Sequence, residues 1–187
     1  MKPEKAYELI VKLGSPKPSH KDDYYIDFVP ITFPNEDYSE LADYLEKNYK
    51  SDFANKIVFI AFTILYYYDS QVFIDKWDKD TDPRSLTYLK KNKYTKPIYP
   101  DLVFKDIRHV GLNAIATLIK MMVMENSKGI NILFKNDGKT SLMSIEDEYS
   151  TYFYNLTGKG LEIIDKLVEH QGLFLKKNTY SDSDFVF

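Results

Sequence analysis

The strongest constraint on the fold is the order of apolar segments in the middle of the chain. An apolar run at 102–104 leads through a turn that contains Gly111 into a helical pattern over 112–126, and a second apolar run, 130–135, follows. Each apolar run predicts a strand, and the apolar spacing of three and four between them predicts an amphipathic helix. Because a strand, a helix and a strand in that order form a right-handed crossover, we expect the two strands to lie roughly parallel in one sheet.

The turn before this helix is a candidate phosphate site. The first N–H groups of a helix have no partner within it and lie at the positive end of its dipole, where a phosphate or pyrophosphate binds well. Arginine is rare in this chain: of 25 basic residues only Arg84 and Arg108 are Arg, and Arg108 lies at this turn. A planar guanidinium pairs with phosphate oxygens better than an ammonium group does. The sequence therefore suggests a cofactor site at the helix entry.

Composition limits the class of protein. A length of 187 residues predicts one domain over 1–187, because domains run to ~100 to 200 residues. The chain has no cysteine, which excludes disulfides and thiolate metal sites and favours a cytoplasmic location. No apolar run approaches the ~20 residues that span a bilayer, so we expect no membrane partner. A net charge of −3 with scattered lysines disfavours nucleic acid as a partner, and widely spaced histidines predict no metal site.

The N-terminal half predicts two helices and a central hairpin. Apolar spacing and an early proline mark a first helix over 3–13, and 24–29 has the pattern of a strand. Asn35 can cap a second helix. The apolar and aromatic run 57–68 predicts a strand buried on both faces, and 72–77 predicts its hairpin partner.

The C-terminal third predicts a helix followed by strands. Capping-box spacing and apolar residues on one face predict this helix over 144–156, and Gly158 or Gly160 would end it. The apolar segments 173–175 and 185–187 predict strands.

This order of elements resembles that of the GNAT superfamily of acyl-CoA-dependent N-acetyltransferases. The segment 108–113, Arg-His-Val-Gly-Leu-Asn, is similar to the family's turn before its long helix, and 153–158, Phe-Tyr-Asn-Leu-Thr-Gly, is similar to a later motif. The similarity in element order covers roughly residues 24–175. The resemblance implies an α/β (mixed α+β) fold with a single mixed, mostly antiparallel central sheet, a splayed parallel strand pair and helices on both faces.

The resemblance also implies an activity, the transfer of an acetyl group from acetyl-CoA to an amine of a small molecule or peptide. Backbone amides of the turn would hold the pyrophosphate, and the splayed strands would admit the pantetheine arm. Tyr154 matches the family's tyrosine that donates a proton to the departing thiolate, and Asp101 or Asp106 could take a proton from the amine. The implied cofactor-binding residues are Arg108, His109, Val110, Gly111, Leu112, Asn113 and Ala114.

Two other functions remain open. Asn113 stands where the family has a small residue beside the cofactor, so the chain could be an inactive acetyltransferase-like fold that acts as an interaction or immunity protein. Its acidic, tyrosine-rich surface would then bind a protein partner or a second copy of the chain. The segment 154–161 also resembles the joint between the wing and the last helix of winged-helix DNA-binding proteins. In that case 151–156 is a strand and 161–168 is helical, whereas the acetyltransferase prediction requires the reverse.

Overall fold

An antiparallel sheet of six strands is the framework of the computed structural model, which describes residues 1–15, 23–30, 39–74, 104–125, 129–146 and 149–178. The strands are β1 Tyr24–Asp27, β2 Ser70–Ile74, β3 Ile130–Asn136, β4 Lys139–Ile145, β5 Thr151–Tyr154 and β6 Phe174–Lys177. Their spatial order is β2-β3-β4-β5-β1-β6, and each neighbouring pair is antiparallel.

Four α-helices occur within the described ranges. They are α1 Pro3–Leu13, α2 Ser39–Tyr67, α3 Leu112–Glu125 and α4 Gly158–His170, and a short 3-10 helix, Arg108–Val110, precedes α3. As predicted, α1 has a proline in its first turn and ends at Gly14, whose φ of 119° closes the helix in the left-handed region. None of the helices in these ranges is long and apolar enough to cross a membrane.

The sheet separates two apolar cores. Alternate strand residues, such as Ile132 and Phe153, face α2, α3 and α4 in the larger core. The residues between them, such as Phe73 and Leu133, face α1 in a smaller core that includes Ile10. This division follows from the period of two along a strand. Helices therefore cover both faces of the sheet, as predicted.

The prediction of a parallel strand pair is wrong. β3 lies between β2 and β4 and pairs antiparallel with both. Residues 101–103 lie outside the described ranges, and Ile107, just after them, donates its backbone N–H to Val72 of β2 instead of β3. The physical reason is the tight turn at Asp137 and Gly138, both at positive φ, which makes β4 the hairpin partner of β3. Both edges of β3 are therefore occupied.

Most of the run 57–68, predicted to be a strand, forms the last part of α2, which ends at Tyr67. Its buried side chains recur every three or four positions on one helix face, against the sheet. They are Ile57, Ile60, Ala61 and Ile64. A continuous apolar run does not by itself distinguish a buried strand from a buried helix. The predicted hairpin is wrong as well, because β2 pairs with β3, and the helix start predicted at Asn35 lies outside the described residues.

The prediction of a helix over 144–156 is also wrong. This segment contains the end of β4 and the whole of β5, and between them Glu146 donates its N–H to the carbonyl of Ser150. Successive side chains of β5 face the two cores in turn, and this period of two is that of a strand and not of a helix. Gly158 and Gly160, predicted to end a helix, lie instead in the first turn of α4.

Other elements agree with the predictions to within a few residues at their ends. α1, β1, α3 and β3 lie where the sequence places them, and β6 covers most of the strand predicted at 173–175. The strand predicted at 185–187 lies outside the described residues.

Candidate functional site

An ion pair organises the turn that the sequence predicts to bind phosphate. Arg108 donates to the Asp106 carboxylate from Nε, at 2.9 and 3.1 Å, and from Nη2, at 2.7 Å. The same carboxylate accepts the backbone N–H groups of Arg108 and Val72, at 3.2 and 3.4 Å. Burial raises the pKa of Asp106, but these hydrogen bonds outweigh burial and hold the pKa below its ordinary value. The guanidinium is therefore already bound within the chain.

This ion pair protects the outer edge of β2. Ile107 donates its N–H to the carbonyl of Val72 at 2.9 Å, while Asp106 accepts the Val72 N–H. A free strand edge invites pairing with other chains, so satisfying these groups locally stabilises the fold. Asp106 and Arg108, predicted as a base and a cofactor ligand, thus have a structural role in the described geometry. Asp101 lies outside the described residues.

The rest of the turn leads directly into α3. Gly111 has a φ of 91°, and a Cβ there would meet no atom within 4 Å, so the helix entry faces open space. α3 begins at Leu112, as predicted. His109, Leu112 and Asn113 are exposed, whereas Val110 is half-buried and Ala114 is buried. Among the described residues, the helix entry is therefore a solvent-facing turn.

The predicted cofactor turn and the predicted catalytic residue are not brought together. α3 packs into the larger core on one face of the sheet, and the Tyr154 side chain lies in the smaller core on the other face. The sheet lies between them, and it has no gap at β3, because β3 is hydrogen-bonded to a strand on each side. The described strands thus form no wedge that could pass a thioester arm from the turn to Tyr154.

Tyr154 is fully buried, and its hydroxyl has no hydrogen-bond partner in the part of the chain that the structure describes. Burial raises the pKa of Tyr154, and the nearby Glu146 and Asp23 raise it further. The phenol therefore stays protonated at neutral pH. It lies beneath α1, out of contact with solvent.

A groove of about 370 Å³ lies between α2 and α4, on the side of the larger core. Apolar side chains form both walls, Phe59 and Tyr67 from α2 and Ile163 and Leu167 from α4. Phe59 is 48% exposed and Tyr67 is 63% exposed. Isolated apolar side chains on a surface are ordinary, but a contiguous apolar groove of this kind is typical of a binding site.

Contacts with the sheet fix the two helices that form this groove. At the end of α2 the ring of Tyr68 lies 5.1 Å from that of Phe134 on β3. At the start of α4 the side chain of Asn136 donates from Nδ2 to the carbonyl of Thr157 at 3.5 Å. A Cβ at Gly160 would overlap the Asn136 amide, so glycine allows the β3–β4 turn to pack against the first turn of α4. The walls of the groove are therefore held by a rigid sheet.

One rim of the groove carries the positive charge of Lys166. Lys166 and His170, one helical turn apart on α4, are the ionisable lining residues other than tyrosine. Neither has an ion-pair or hydrogen-bond partner within the described ranges. The acidic residues of α4, Glu162, Asp165 and Glu169, do not line the groove. An apolar surface with a cationic rim is suited to a ligand that is apolar and acidic.

The sequence contains one signal for this groove that the predictions did not use. Ile163 and Leu167 lie beside the inward stripe of Leu161, Ile164 and Val168, so the apolar face of α4 is wider than contact with the sheet requires.

Within the described residues no group of three His, Cys, Asp or Glu side chains could hold a metal ion. Comparisons with protein-family models, curated sequences and solved structures give no significant match, so similarity assigns this chain to no family.

Proposed function

We propose that this chain is a non-catalytic binding protein whose groove between α2 and α4 receives an acidic amphipathic helix of a partner protein. The observation that carries the proposal is an apolar, aromatic groove with the unpaired cation of Lys166 and the side chain of His170 on one rim. Like the interaction-protein alternative that the sequence leaves open, the proposal assigns the chain a protein partner, but at a groove with a basic rim instead of an acidic, tyrosine-rich surface.

The exposed aromatic side chains supply the energy. Burying the exposed half of Phe59, out of ~200 Å² for an aromatic side chain, removes ~100 Å² from water and contributes about 2.5 kcal/mol at ~25 cal/mol per Å². Tyr67 is more exposed and has a similar capacity. Tyrosine and other aromatic residues are also enriched at interaction hot spots.

The dimensions of the groove favour a short helix. The α4 wall runs from Ile163 to His170, which is about 10 Å along the helix axis. Two turns of a partner helix have that length and place apolar side chains at positions i, i+3 or i+4, and i+7 on one face. Acidic residues on the flank of such a helix would lie beside Lys166 and His170.

The test uses a designed peptide of about 14 residues with leucines on one helical face and glutamates elsewhere, labelled for fluorescence anisotropy. We expect Phe59→Ser and Tyr67→Ser each to weaken its binding by about 70-fold, which is the 2.5 kcal/mol above. Tyr44→Ser is the matched control, because Tyr44 is 56% exposed on the same helix and does not line the groove. If all three variants bind the peptide equally, the groove is not the docking site.

Acetyl transfer stays a prediction. Its support is the resemblance at 108–113 and 153–158, and the guanidinium bound to Asp106 and the separation of Tyr154 from the turn weigh against it. A thermal-shift titration with acetyl-CoA tests it, since a ligand that binds the folded state raises the melting temperature.

The cysteine-free composition fits a reducing compartment, and we propose the cytoplasm.

DNA binding has less support. β5 is extended and α4 is helical, as the winged-helix alternative requires for this stretch. However, the exposed side of α4 carries Glu162, Asp165 and Glu169 together with two lysines, so it offers no basic face to a phosphate backbone.

A further inference from the structure

The first turns of α2 extend beyond the groove and lie largely in solvent. Along α2 the groove begins at Phe59, whereas the helix begins at Ser39. Of the side chains described in 40–49, Leu45 is half-buried and the others are exposed. Tyr149, which lies between β4 and β5, donates its hydroxyl to the carbonyl of Leu45 at 3.1 Å and so fixes this part of the helix to the sheet. The segment 40–49 is therefore held in place with most of its surface open to another molecule.

This segment has the pattern that the groove is proposed to receive. Leu41, Leu45 and Tyr49 follow one another at intervals of four and share one side of the helix. Leu41 is 37% exposed and Tyr49 is 48% exposed. The charged side chains of the segment are mostly acidic, and they are Glu40, Asp43, Glu46 and one lysine, Lys47. The chain thus carries an acidic amphipathic helix of its own.

The two apolar surfaces of α2 face the same direction. Leu41 precedes Phe59 by 18 residues, and Tyr49 precedes Tyr67 by the same interval. Eighteen residues are five turns of 3.6, so the members of each pair point the same way. Two copies of α2, packed antiparallel about a twofold axis beside residue 54, therefore set Tyr49 against Phe59 of the second copy and Leu41 against its Tyr67. One arrangement fills both grooves.

The charges of α2 agree with the same register. Asp52 and Lys56 lie on this side of the helix, and within one chain they form an ion pair of 3.0 Å. The twofold axis sets Asp52 opposite Lys56 of the second copy, so opposite charges meet in the middle of the contact. At the groove itself the acidic segment meets the rim that carries Lys166. Apolar contacts and charges are therefore complementary in one register.

We propose that the partner helix in the groove is residues 40–49 of a second copy of this chain, in a twofold dimer. This assignment rests on the proposed function, because it names the occupant of the same groove. Each copy gives one helix and receives one, so the contact is closed and association stops at two chains. The dimer also accounts for the exposed aromatic side chains of α2, since Tyr49, Phe59 and Tyr67 all lie in the contact.

Sedimentation velocity of two charge variants and of their mixture tests the register. In a dimer of Asp52→Lys lysines face each other, and in a dimer of Lys56→Asp aspartates do, so each variant alone should have a dimer dissociation constant at least about tenfold above that of the wild type. An equimolar mixture restores opposite charges between the two variants and should form dimers again. Both variants lack the ion pair within the chain, so that pair cannot explain the recovery. A mixture no more dimeric than its components would overturn the proposal.

Aromatic variants separate failure of the dimer from failure of the groove. Tyr49→Ser and Phe59→Ser should each weaken the dimer by at least about 100-fold, because the twofold axis repeats each loss. Tyr7→Ser, at an exposed tyrosine of α1, is the matched control. The designed peptide is then titrated into Tyr49→Ser, whose groove is intact and free of a second copy.

Each outcome of these measurements decides one of the two proposals. A wild type that stays monomeric at about 100 µM would overturn the dimer, because specific interfaces of ordinary size reach micromolar dissociation constants. A dimer unaffected by Phe59→Ser would overturn it as well. Peptide binding by Tyr49→Ser in either case would leave the proposed function standing, whereas no peptide binding by Tyr49→Ser would count against the groove itself.

Discussion

Replacing Gly160 by alanine tests the contact that holds α4, and hence one wall of the docking groove, against the sheet. The new Cβ would overlap the side-chain amide of Asn136, which is 2% exposed and cannot move into solvent without disturbing the β3–β4 turn. Overpacking of this kind costs about 1–3 kcal/mol, and loss of the Asn136–Thr157 hydrogen bond costs about 1 kcal/mol more. The higher helix propensity of alanine returns about 1 kcal/mol. The net loss is about 2 kcal/mol.

The assay is thermal and urea unfolding of the wild type, Gly160→Ala, Asn136→Ala and the double variant. A loss of about 2 kcal/mol lowers the melting temperature of a chain of this size by about 4 to 8 °C. The double variant should be more stable than the sum of the single effects by about 1–2 kcal/mol, because without the Asn136 side chain the added methyl group has room. Lys159→Ala, at the neighbouring exposed position, controls for helix propensity. A Gly160→Ala protein as stable as the wild type would refute the packing argument.

Two further predictions concern α1 and the edge of the sheet. Ile10→Ala should cost about 2–4 kcal/mol in urea unfolding, because Ile10 is 2% exposed in the smaller core, whereas Val11→Ala, 48% exposed, should change stability by under about 0.5 kcal/mol. Asp106→Asn should remove a stabilisation that the wild type has above the ordinary carboxyl pKa of 3.8. Because the pKa of Asp106 is lowered on folding, the wild type loses this advantage as the pH falls through the lowered value, so the two proteins should differ at pH 6 and converge in strong acid. Urea midpoints that differ equally at both pH values would contradict the role given to the Arg108 ion pair.

The sequence predicts those elements whose periodicity is unambiguous. α1 and α3 have polar residues on one side and apolar residues on the other, so their spacing marks them as helices. The run 57–68 lacks that contrast, because aromatic side chains occupy its outward positions as well as its inward ones. Two of those outward aromatics, Phe59 and Tyr67, line the docking groove, so the residues that made the run look like a strand also indicate the candidate site.

Local sequence does not determine which strands pair with each other in the sheet. A strand, helix and strand in sequence predicted a parallel pair, yet the turn at Asp137 and Gly138 favours a hairpin that occupies one edge of β3. The groove depends on tertiary structure in the same way, since Phe59 and Leu167 are far apart in the chain. The Asp106–Arg108 pair, by contrast, is separated by one residue and is a local feature that sequence inspection could have identified.

Charge reversal on the rim of the groove tests the proposed function most directly. The measurement is the binding of the acidic amphipathic peptide, and of the same peptide with lysine in place of each glutamate, to the wild type and to Lys166→Glu. An exposed ion pair contributes up to about 1 kcal/mol, so reversing the charge should change the ratio of the two dissociation constants by about tenfold or more in favour of the lysine peptide. If the wild type and Lys166→Glu show the same preference between the two peptides, a partner helix does not bind in the groove between α2 and α4.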